Sequence, residues 1–359
     1  MKADNILIVN TFGIGDVLFS TPLIKEIKRN LPEARVHFLC NRRNVDLLKN
    51  DPDIASVIVF EKDEFRECFK QSRMRFVGKL AGLIREIRRL DIDVAIDLTL
   101  NYQMNIILIL AGIGMRVGFN YKNRGRLLTH RTMLSSFDKK HIVEYYIELL
   151  KFFSLAVPNG HRLRSYTSQD AKKRADKLLK EKGVFGKELV GIAAGGGKSW
   201  GLDAVYRRWD SANFAYVGLK LSQMDNIQVL LFGTGEELEI CKEILSVIGP
   251  RAVSLCGATD LDLLVELIGR CRLLICNEGG PLHIAVSQDV KTISLFGPVD
   301  DKVYGPYPPS ERHKVIKAQD VECRPCYKNF KHRICDVHVC LTGINRDEVV
   351  EAAKESLGL

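Results

Sequence analysis

The chain has 359 residues, 46% of them hydrophobic and 27% charged, which is typical of a globular protein with more than one domain. Its longest apolar run, residues 106–115, has ten residues, and this excludes a membrane-spanning helix, which needs roughly 20. The net charge of +9 lies in residues 1–165, which hold 27 Lys and Arg against 18 Asp and Glu, so this half is expected to meet an anionic partner.

The predicted elements alternate between strands and helices from the start of the chain. Strands are predicted at residues 5–10, 36–40, 57–60 and 94–98, and helices at 17–29, 76–90 and 106–110. No signal peptide precedes the first strand, and ten cysteines without one predict a reduced, cytoplasmic protein. The turn cluster at 157–160 and the charged helix at 170–182 place a domain boundary between residues 165 and 166.

A second alternating set follows this boundary. Strands are predicted at residues 189–194, 229–232, 253–255, 273–276 and 292–296, and helices at 214–221, 236–247, 261–270 and 346–356. Strands that alternate with helices indicate parallel βαβ units. We therefore expect an α/β protein with two Rossmann-like domains, 1–165 and 166–359, and a cleft between them.

A glycine turn follows the first predicted strand, at Gly13-Ile14-Gly15-Asp16. The dinucleotide-binding fingerprint needs a third small residue where Leu18 stands, so the turn does not predict that cofactor. It presents Asp16 at the mouth of the strand, where a carboxylate can accept a proton from a hydroxyl group. The alternative is that Asp16 only caps the helix that follows.

Residues 98–137 contain no acid but hold five basic residues: Arg116, Lys122, Arg124, Arg126 and Arg131. This window predicts binding of an anionic ligand, such as a nucleic acid or a phosphorylated lipid or sugar. Only Phe119 and Tyr121 interleave the basic residues, which argues against stacking on single-stranded nucleic acid. The alternative is a solvated basic face.

Two glycine turns in the second half predict a nucleotide site. Gly195–Ser199 lacks P-loop spacing, but its backbone amides could hold a diphosphate with Lys198, Arg207 and Arg208. Glu236, after Gly233 and Gly235, could bind ribose hydroxyls. The alternatives are a flexible loop with an incidental lysine, and an acid that only favours the helix dipole.

The stretch Asn277–Ala285 carries the strongest functional signal. Glu278, Gly279, Gly280, Pro281 and His283 lie between a predicted strand and a helix, where ligands bind in open α/β sheets. The glycines let backbone amides approach an anion, and the helix N-terminus adds its positive end. The alternative is a structural turn with a packed histidine.

The cysteine spacing near the C-terminus allows two interpretations. Cys323, Cys326, Cys335 and Cys340 could ligate structural zinc or remain reduced structural cysteines. The other six cysteines lie mostly in predicted strands or helices and are interpreted as small core residues. We predict no metal in the catalytic site and no cofactor.

Four stretches resemble glycosyltransferase family 9, the ADP-heptose:lipopolysaccharide heptosyltransferases. Residues 6–22 resemble the family's strand–GD–TP start, residues 207–215 its KRWP…FA segment, and residues 232–236 its GGPxE turn. Residues 277–306 resemble its DSGPMH…LFGP…YGP block. The resemblance implies a GT-B fold, with acceptor bound by the first domain and sugar nucleotide by the second.

The resemblance also implies roles for individual residues. The catalytic base falls on Asp16, the phosphate-binding cation on Arg207, where the family has lysine, and the ribose-binding acid on Glu236. The sugar-binding Asp-Ser-Gly falls on Glu278-Gly279-Gly280, and His283 matches directly. The full expected donor set is Gly15, Lys198, Arg207, Glu236, Glu278, Gly279, Gly280 and His283, and the expected acceptor set is Arg116, Lys122, Arg124 and Arg126.

The hypothesis from these features is an inverting, metal-independent transfer of heptose from ADP-heptose to the lipopolysaccharide inner core. The partners are a nucleotide sugar and an anionic lipid-linked glycan, not nucleic acid. The enzyme is expected in the cytoplasm, in peripheral contact with the inner face of the inner membrane. The alternatives are a family relative with another donor or acceptor, and a binding protein without turnover.

Overall fold

Two parallel six-stranded sheets organise residues 3–196, 201–328, 331 and 335–359, the part of the chain described by a computed structural model. The first sheet belongs to unit 1, Met1–His161, and the second to unit 2, Arg162–Leu359. Numbered within its own unit, each sheet has the strand order 3-2-1-4-5-6, the order of Rossmann folds. In such a sheet, ligands bind outside the carboxyl ends of the strands, next to strands 1 and 4.

Unit 1 has the spatial strand order β3-β2-β1-β4-β5-β6. Its strands are β1 (Asn5–Val9), β2 (Arg35–Cys40), β3 (Ile54–Val59), β4 (Val94–Asp97), β5 (Met115–Tyr121) and β6 (His130–Leu134). Its helices are α1 (Ile14–Phe19), α2 (Thr21–Asn30), α3 (Val45–Leu48), α4 (Lys62–Gln71), α5 (Arg73–Arg88), α6 (Tyr102–Leu110) and α7 (Ile142–Glu148). The central strands are apolar and buried, and α5 and α6 pack their inner faces on them through residues such as Ile87 and Leu108.

Unit 2 has the order β12-β11-β10-β7-β8-β9. Its strands are β7 (Glu188–Ala193), β8 (Ile227–Leu231), β9 (Ala252–Ser254), β10 (Leu273–Asn277), β11 (Lys291–Leu295) and β12 (His313–Ile316). Its helices are α8 (Gln169–Glu181), α9 (Ser211–Ser222), α10 (Leu238–Ile248), α11 (Leu261–Gly269), α12 (Gly280–Ser287), α13 (Asp301–Tyr304), α14 (Val339–Thr342) and α15 (Arg346–Leu357). The last helix packs on α9 and the sheet, through Val349 and Ala353 in the core of this unit.

The expected α/β architecture of two parallel sheets is confirmed, and three strands were missed. The edge strands β6 and β12 are partly exposed, so they lack the apolar run that marks a buried strand. Strand β5 contains Arg116, Gly118 and Asn120, which interrupt the β-branched pattern. Among the helices of the described residues, none is long and apolar enough to span a membrane.

One expectation about the cysteines needs correction. Cys241 and Cys256, which were predicted to be reduced core residues, form a disulfide in unit 2. Both are buried, and a side chain on Gly233 would come within 2.7 Å of the Cys256 sulfur. Single residues in separate elements give no pairing signal in the sequence, because only the fold brings α10 next to the segment after β9.

Candidate active site

The turn after β1 presents Asp16 at the carboxyl edge of the first sheet. Helix α1 begins at Ile14, so Asp16 lies in its first turn and is half-buried. Its Oδ2 atom accepts a hydrogen bond from the Gly13 amide at 3.2 Å, and its carbonyl accepts one from the Asn10 side chain at 2.9 Å. The carboxylate therefore caps the helix, as the structural alternative proposed, in a helix turn that favours negative charge.

Two buried asparagines after β2 hold the same turn, and sequence analysis did not identify them. Asn41 Nδ2 donates to the carbonyls of Thr11 and Phe12 at 2.9 and 3.0 Å, and Asn44 Nδ2 donates to Phe12 at 2.9 Å. Because strands β1 and β2 are parallel neighbours, their carboxyl-end loops meet. The position of the Asp16 turn is thus fixed from an adjacent strand.

A buried carboxylate, Asp97, ends β4 directly beside Val9 of β1. Its Oδ1 atom accepts hydrogen bonds from the Thr99 amide at 2.8 Å and the Thr99 hydroxyl at 2.7 Å. Burial raises the pKa of Asp97 to about 6, against a smaller opposing effect of these bonds. Sequence analysis did not identify Asp97, although an acidic residue at the end of an apolar strand was a usable signal.

The predicted acceptor residues fall into two groups. Lys122, Arg124 and Arg126 are exposed in the loop after the carboxyl end of β5, at the same edge of the sheet as Asp16. This loop folds closely over its strand, since a side chain on Gly125 would lie 2.6 Å from the Phe119 carbonyl. Arg116 lies near the amino end of β5 instead, and its guanidinium donates to the carbonyls of Gly114 and Leu127, both at 3.2 Å.

In unit 2, Arg207 and Glu278 form a buried ion pair. Arg207 ends a 3₁₀ helix (Gly201–Arg207), and Glu278 follows β10. The Arg207 Nε and Nη2 atoms donate to the two carboxylate oxygens of Glu278, and Nη2 also donates to the Glu278 carbonyl at 3.1 Å. Their side chains are only 6% and 4% exposed. Two of the positions at which the chain departs from the family motifs, Arg207 and Glu278, therefore contact each other.

A second buried acid, Glu237, lies beside the glycine turn after β7. Its Oε2 atom accepts hydrogen bonds from the Thr234 amide at 2.8 Å and the Thr234 hydroxyl at 3.1 Å. A side chain on Gly195 would overlap the Glu237 carboxylate, so the two residues are in close contact and a larger residue here would displace the Glu237 side chain. Glu236, the predicted ribose ligand, is exposed in the turn after β8 that also contains Thr234 and Glu237. The predicted phosphate ligand Lys198 lies outside the described residues.

Asn277, the last residue of β10, connects three segments of this site. Its Nδ2 atom donates to the carbonyls of Ala194 and Gly195 at 2.8 and 3.3 Å, and its Oδ1 atom accepts from the Trp209 amide at 2.9 Å. Sequence analysis assigned it no role, although a polar residue at the end of the strand Leu273–Asn277 was a usable signal. The residue fixes the loops after β7 and β10 to each other.

The remaining predicted donor residues follow Glu278, with one exception. Gly279 has a φ angle of +144°, which requires glycine, and it caps α12, whose first residue is Gly280. His283 is buried within α12. Gly15 is separate from this group because it lies in unit 1, one residue before Asp16.

Three of the C-terminal cysteines, Cys323, Cys326 and Cys340, lie near one another. Burial, together with the neighbouring Cys326 and Cys323, raises the pKa of Cys340 to about 11, and Cys335 accepts a hydrogen bond from the His338 amide at 3.4 Å. Within the described residues, which omit 329–330 and 332–334 of this segment, no group of three or more potential ligands is arranged to hold a metal. Structural zinc and reduced structural cysteines stay the two interpretations of this segment.

Comparisons with known proteins identify the family of the chain. The sequence profile of glycosyltransferase family 9 (heptosyltransferase) matches residues 80–333, more than half of the chain. Lipooligosaccharide heptosyltransferase 2 of Campylobacter jejuni is 26% identical over 354 residues, which cover 96% of this chain and 95% of that protein. The chain therefore belongs to glycosyltransferase family 9, and it is a glycosyltransferase.

Solved structures support the same fold. The crystal structure of a family 9 glycosyltransferase from Veillonella parvula superposes with a TM-score of 0.81 at 20% identity, covering 99% of this chain and 97% of that one. The structure of the E. coli ADP-heptose lipopolysaccharide heptosyltransferase II superposes with a TM-score of 0.76 at 22% identity, covering 98% of both chains. The expected GT-B fold is confirmed.

Proposed function

We propose that the protein transfers heptose from ADP-heptose to the inner core of lipopolysaccharide, with inversion at the anomeric carbon. The observation that carries this proposal is the half-buried Asp16 carboxylate at the carboxyl edge of the first sheet, in a chain of this family. Support for the donor comes from the similar E. coli protein, an ADP-heptose lipopolysaccharide heptosyltransferase. Support for the acceptor comes from the lipooligosaccharide and lipopolysaccharide heptosyltransferases among its relatives.

Asp16 acts as the general base in this mechanism. Its carboxylate takes the proton of the acceptor hydroxyl while that oxygen attacks the anomeric carbon from the face opposite the leaving group. The bond from the anomeric carbon to the phosphate oxygen breaks, and ADP leaves with its electron pair. The contacts of Asn10, Asn41 and Asn44 keep the turn in place, so that the carboxylate is oriented before the acceptor arrives.

The exposed cations Lys122, Arg124 and Arg126 recognise the phosphates or acidic sugars of the acceptor. They lie at the same edge of the sheet as Asp16, which supports this assignment for them. Arg116 has a different part in the proposal. Because its guanidinium donates to backbone carbonyls at the other end of β5, it stabilises unit 1 and does not contact acceptor.

The loops after β7, β8 and β10 bind the nucleotide sugar in unit 2. Glu236 is exposed and can accept hydrogen bonds from ribose hydroxyls, as an acid does in other nucleotide sites. Lys198, the amides of the Gly279–Gly280 turn and the first turn of α12 stabilise the charge that develops on the diphosphate. Arg207 contributes by fixing Glu278, and with it the position of this turn.

A second candidate is a family 9 enzyme that uses another nucleotide sugar. The Arg207–Glu278 pair favours it, because the carboxylate expected to contact the donor sugar is engaged by an arginine of the same unit. In this candidate, Asp16 keeps its role and only the sugar differs.

The acceptor of the proposed reaction is lipid-linked, so the enzyme works in the cytoplasm at the inner face of the inner membrane, in peripheral contact with it. The excess of positive charge in the first half of the chain supports contact with an anionic surface. No metal is required in this mechanism, because Lys198 and the backbone amides at the start of α12 stabilise the charge of the leaving group.

The test is nucleotide release from a panel of ADP-, UDP-, GDP- and dTDP-sugars, with and without a lipid A–Kdo core acceptor. We expect acceptor-dependent release of ADP from ADP-heptose alone, and unchanged rates when a chelator is added. Release from a different nucleotide sugar would favour the second candidate. No release from any pair, with measurable nucleotide binding, would contradict both.

A further inference from the structure

Exposed hydrophobic side chains concentrate on three adjacent helices of unit 1. Of the nine large exposed hydrophobic residues in its described part, seven lie on α4, α5 or α6: Phe69, Met74, Val77, Tyr102, Ile106, Ile109 and Leu110. Scattered exposed hydrophobic residues are normal on a soluble protein, but a group on one face marks a surface that contacts something.

The clearest part of this group is the outer face of α6. Met104, Ile107 and Leu108 on its inner face are buried in the core, as an amphipathic helix requires. The outer face is also apolar: Tyr102, Ile106, Ile109 and Leu110 are 41–48% exposed. At about 100° per residue, the first three lie within a sector of about 60°. We call these four residues the apolar stripe.

Arginines of α5 border the apolar stripe. Arg85, Arg88 and Arg89 are exposed in and just after the last turn of α5 at spacings of three and four residues, which puts them on one side of the helix. The Arg88 Nη2 atom donates to the Leu110 carbonyl at 2.7 Å, so this basic cluster lies at the C-terminal end of α6. None of the three arginines forms an ion pair with any residue that the structure describes.

We propose that the apolar stripe and the basic cluster dock unit 1 on an anionic phospholipid surface. Apolar side chains that enter the headgroup region beside arginines that meet lipid phosphates are complementary to such a surface. A helix of nine residues is about 14 Å long, so α6 lies on the bilayer and does not cross it.

The direction of α6 connects docking with catalysis. The helix begins five residues after Asp97, at the carboxyl edge of the sheet, which is the edge that carries Asp16. A docked stripe therefore brings this edge to the membrane surface, where a lipid-linked glycan is within reach. This consequence rests on the proposed function, whereas the binding of lipid does not.

Vesicle co-sedimentation of the full chain tests the proposal. The variants are Ile106→Ser with Ile109→Ser, and Arg85→Gln with Arg89→Gln, which leaves the Arg88 contact in place. The matched control is Phe185→Ser with Val247→Ser, two exposed hydrophobic residues of unit 2. The vesicles are either equal mixtures of phosphatidylglycerol and phosphatidylcholine or phosphatidylcholine alone.

We expect the parent and the control to bind the anionic vesicles, and each stripe or cluster variant to bind them at least about tenfold more weakly. Binding to phosphatidylcholine alone should be weaker for the parent, and the arginine variant should lose most of the difference between the two vesicles. The proposal would be overturned if both variants bound the anionic vesicles as strongly as the parent does. So would a dimeric parent that the isoleucine variant converts to a monomer, since the stripe would then be covered by a second copy.

Transfer assays separate this proposal from the proposed function. With a soluble, deacylated core acceptor, the isoleucine variant should match the parent, while its KM for acceptor embedded in anionic vesicles should rise about tenfold. If the parent transfers to neither acceptor, the proposed function fails, and the sedimentation result still decides whether the stripe binds lipid. Equal KM values on embedded acceptor would contradict the link between docking and catalysis.

Discussion

The carboxyl edges of the two sheets have the same strand order but different chemistry. Strands β4 and β10 occupy equivalent positions, each beside the first strand of its unit. Within the part of the chain that the structure describes, the side chain of Asp97, at the end of β4, accepts hydrogen bonds only from Thr99, two residues further on. The side chain of Asn277, at the end of β10, instead binds the loop after β7 and the backbone amide of Trp209. In unit 2 the loop after the first strand is thus fixed from the fourth strand, whereas in unit 1 the corresponding loop is fixed from the second strand, through Asn41 and Asn44.

Charges at the two edges differ in the same way. In unit 2, Arg207, Glu278 and Glu237 are buried and bound to other residues of the site. In unit 1, the cations Lys122, Arg124 and Arg126 are exposed. Exposed cations suit an extended anionic glycan, and buried pairs suit a preorganised nucleotide site. The comparison indicates that one topology can serve both partners of a transfer reaction.

The largest effect is expected from replacement of Asp16, the proposed base in unit 1. Asp16→Asn keeps the shape of the side chain but cannot accept the acceptor proton, so kcat should fall about 10²–10⁴-fold. ADP affinity should remain that of the parent, because the loops proposed to bind the nucleotide are in unit 2. Steady-state ADP release and ADP titration measure the two quantities. Turnover near the parent rate at saturating donor would show that Asp16 is only a helix cap.

The next largest effect concerns the ion pair of unit 2. Glu278→Ala leaves the Arg207 guanidinium buried without its carboxylate, and we expect a loss of about 3–5 kcal/mol in the free energy of unfolding. Denaturant unfolding measures this change. The control combines Arg207→Met with Glu278→Leu, which should recover most of the stability because no buried charge remains. A single variant as stable as the parent would mean that the pair does not hold this edge together.

A smaller and pH-dependent effect is expected at Asp97. Its pKa is raised to about 6, above the ordinary value of 3.8, so its contribution to stability is fully present below about pH 4 and is lost as pH rises through about 6. The parent should therefore lose up to about 3 kcal/mol relative to Asp97→Asn between about pH 4 and pH 7. Denaturant unfolding of both proteins at several pH values in that range measures the change. A difference in the free energy of unfolding that does not vary with pH would show that the pKa of Asp97 is not raised by burial.

The smallest effect is expected at the exposed cations. Replacement of Lys122, Arg124 and Arg126 by Gln should raise the KM for the anionic acceptor about tenfold, with unchanged stability, since the three side chains are exposed. The effect should diminish at high salt. The matched control is Lys172→Gln with Lys173→Gln on α8 of unit 2, which should leave the KM unchanged. An equal rise in the control would indicate a non-specific effect of charge.

The comparison also explains how far the sequence could predict this protein. Apolar strands such as β1 and β10, followed by glycine turns, were recognisable from their periodicity and composition, and so were the positions of Asp16 and Glu278. The Arg207–Glu278 contact was not predictable, because 71 residues separate the two and only the sheet brings them together. Asn41 and Asn44 were missed for the same reason, because each acts on a loop from another part of the chain. The role of Asn277 was missed although its position at the end of a strand was a usable signal.

Hydrogen–deuterium exchange of the full chain, with and without ADP, tests most directly the claim that unit 2 binds the nucleotide and unit 1 does not. We predict that ADP protects the turns near Gly195, Glu236 and Glu278 in unit 2, while exchange near Asp16 and Arg124 in unit 1 stays unchanged. Protection at the unit 1 turns without any change in unit 2 would contradict the account.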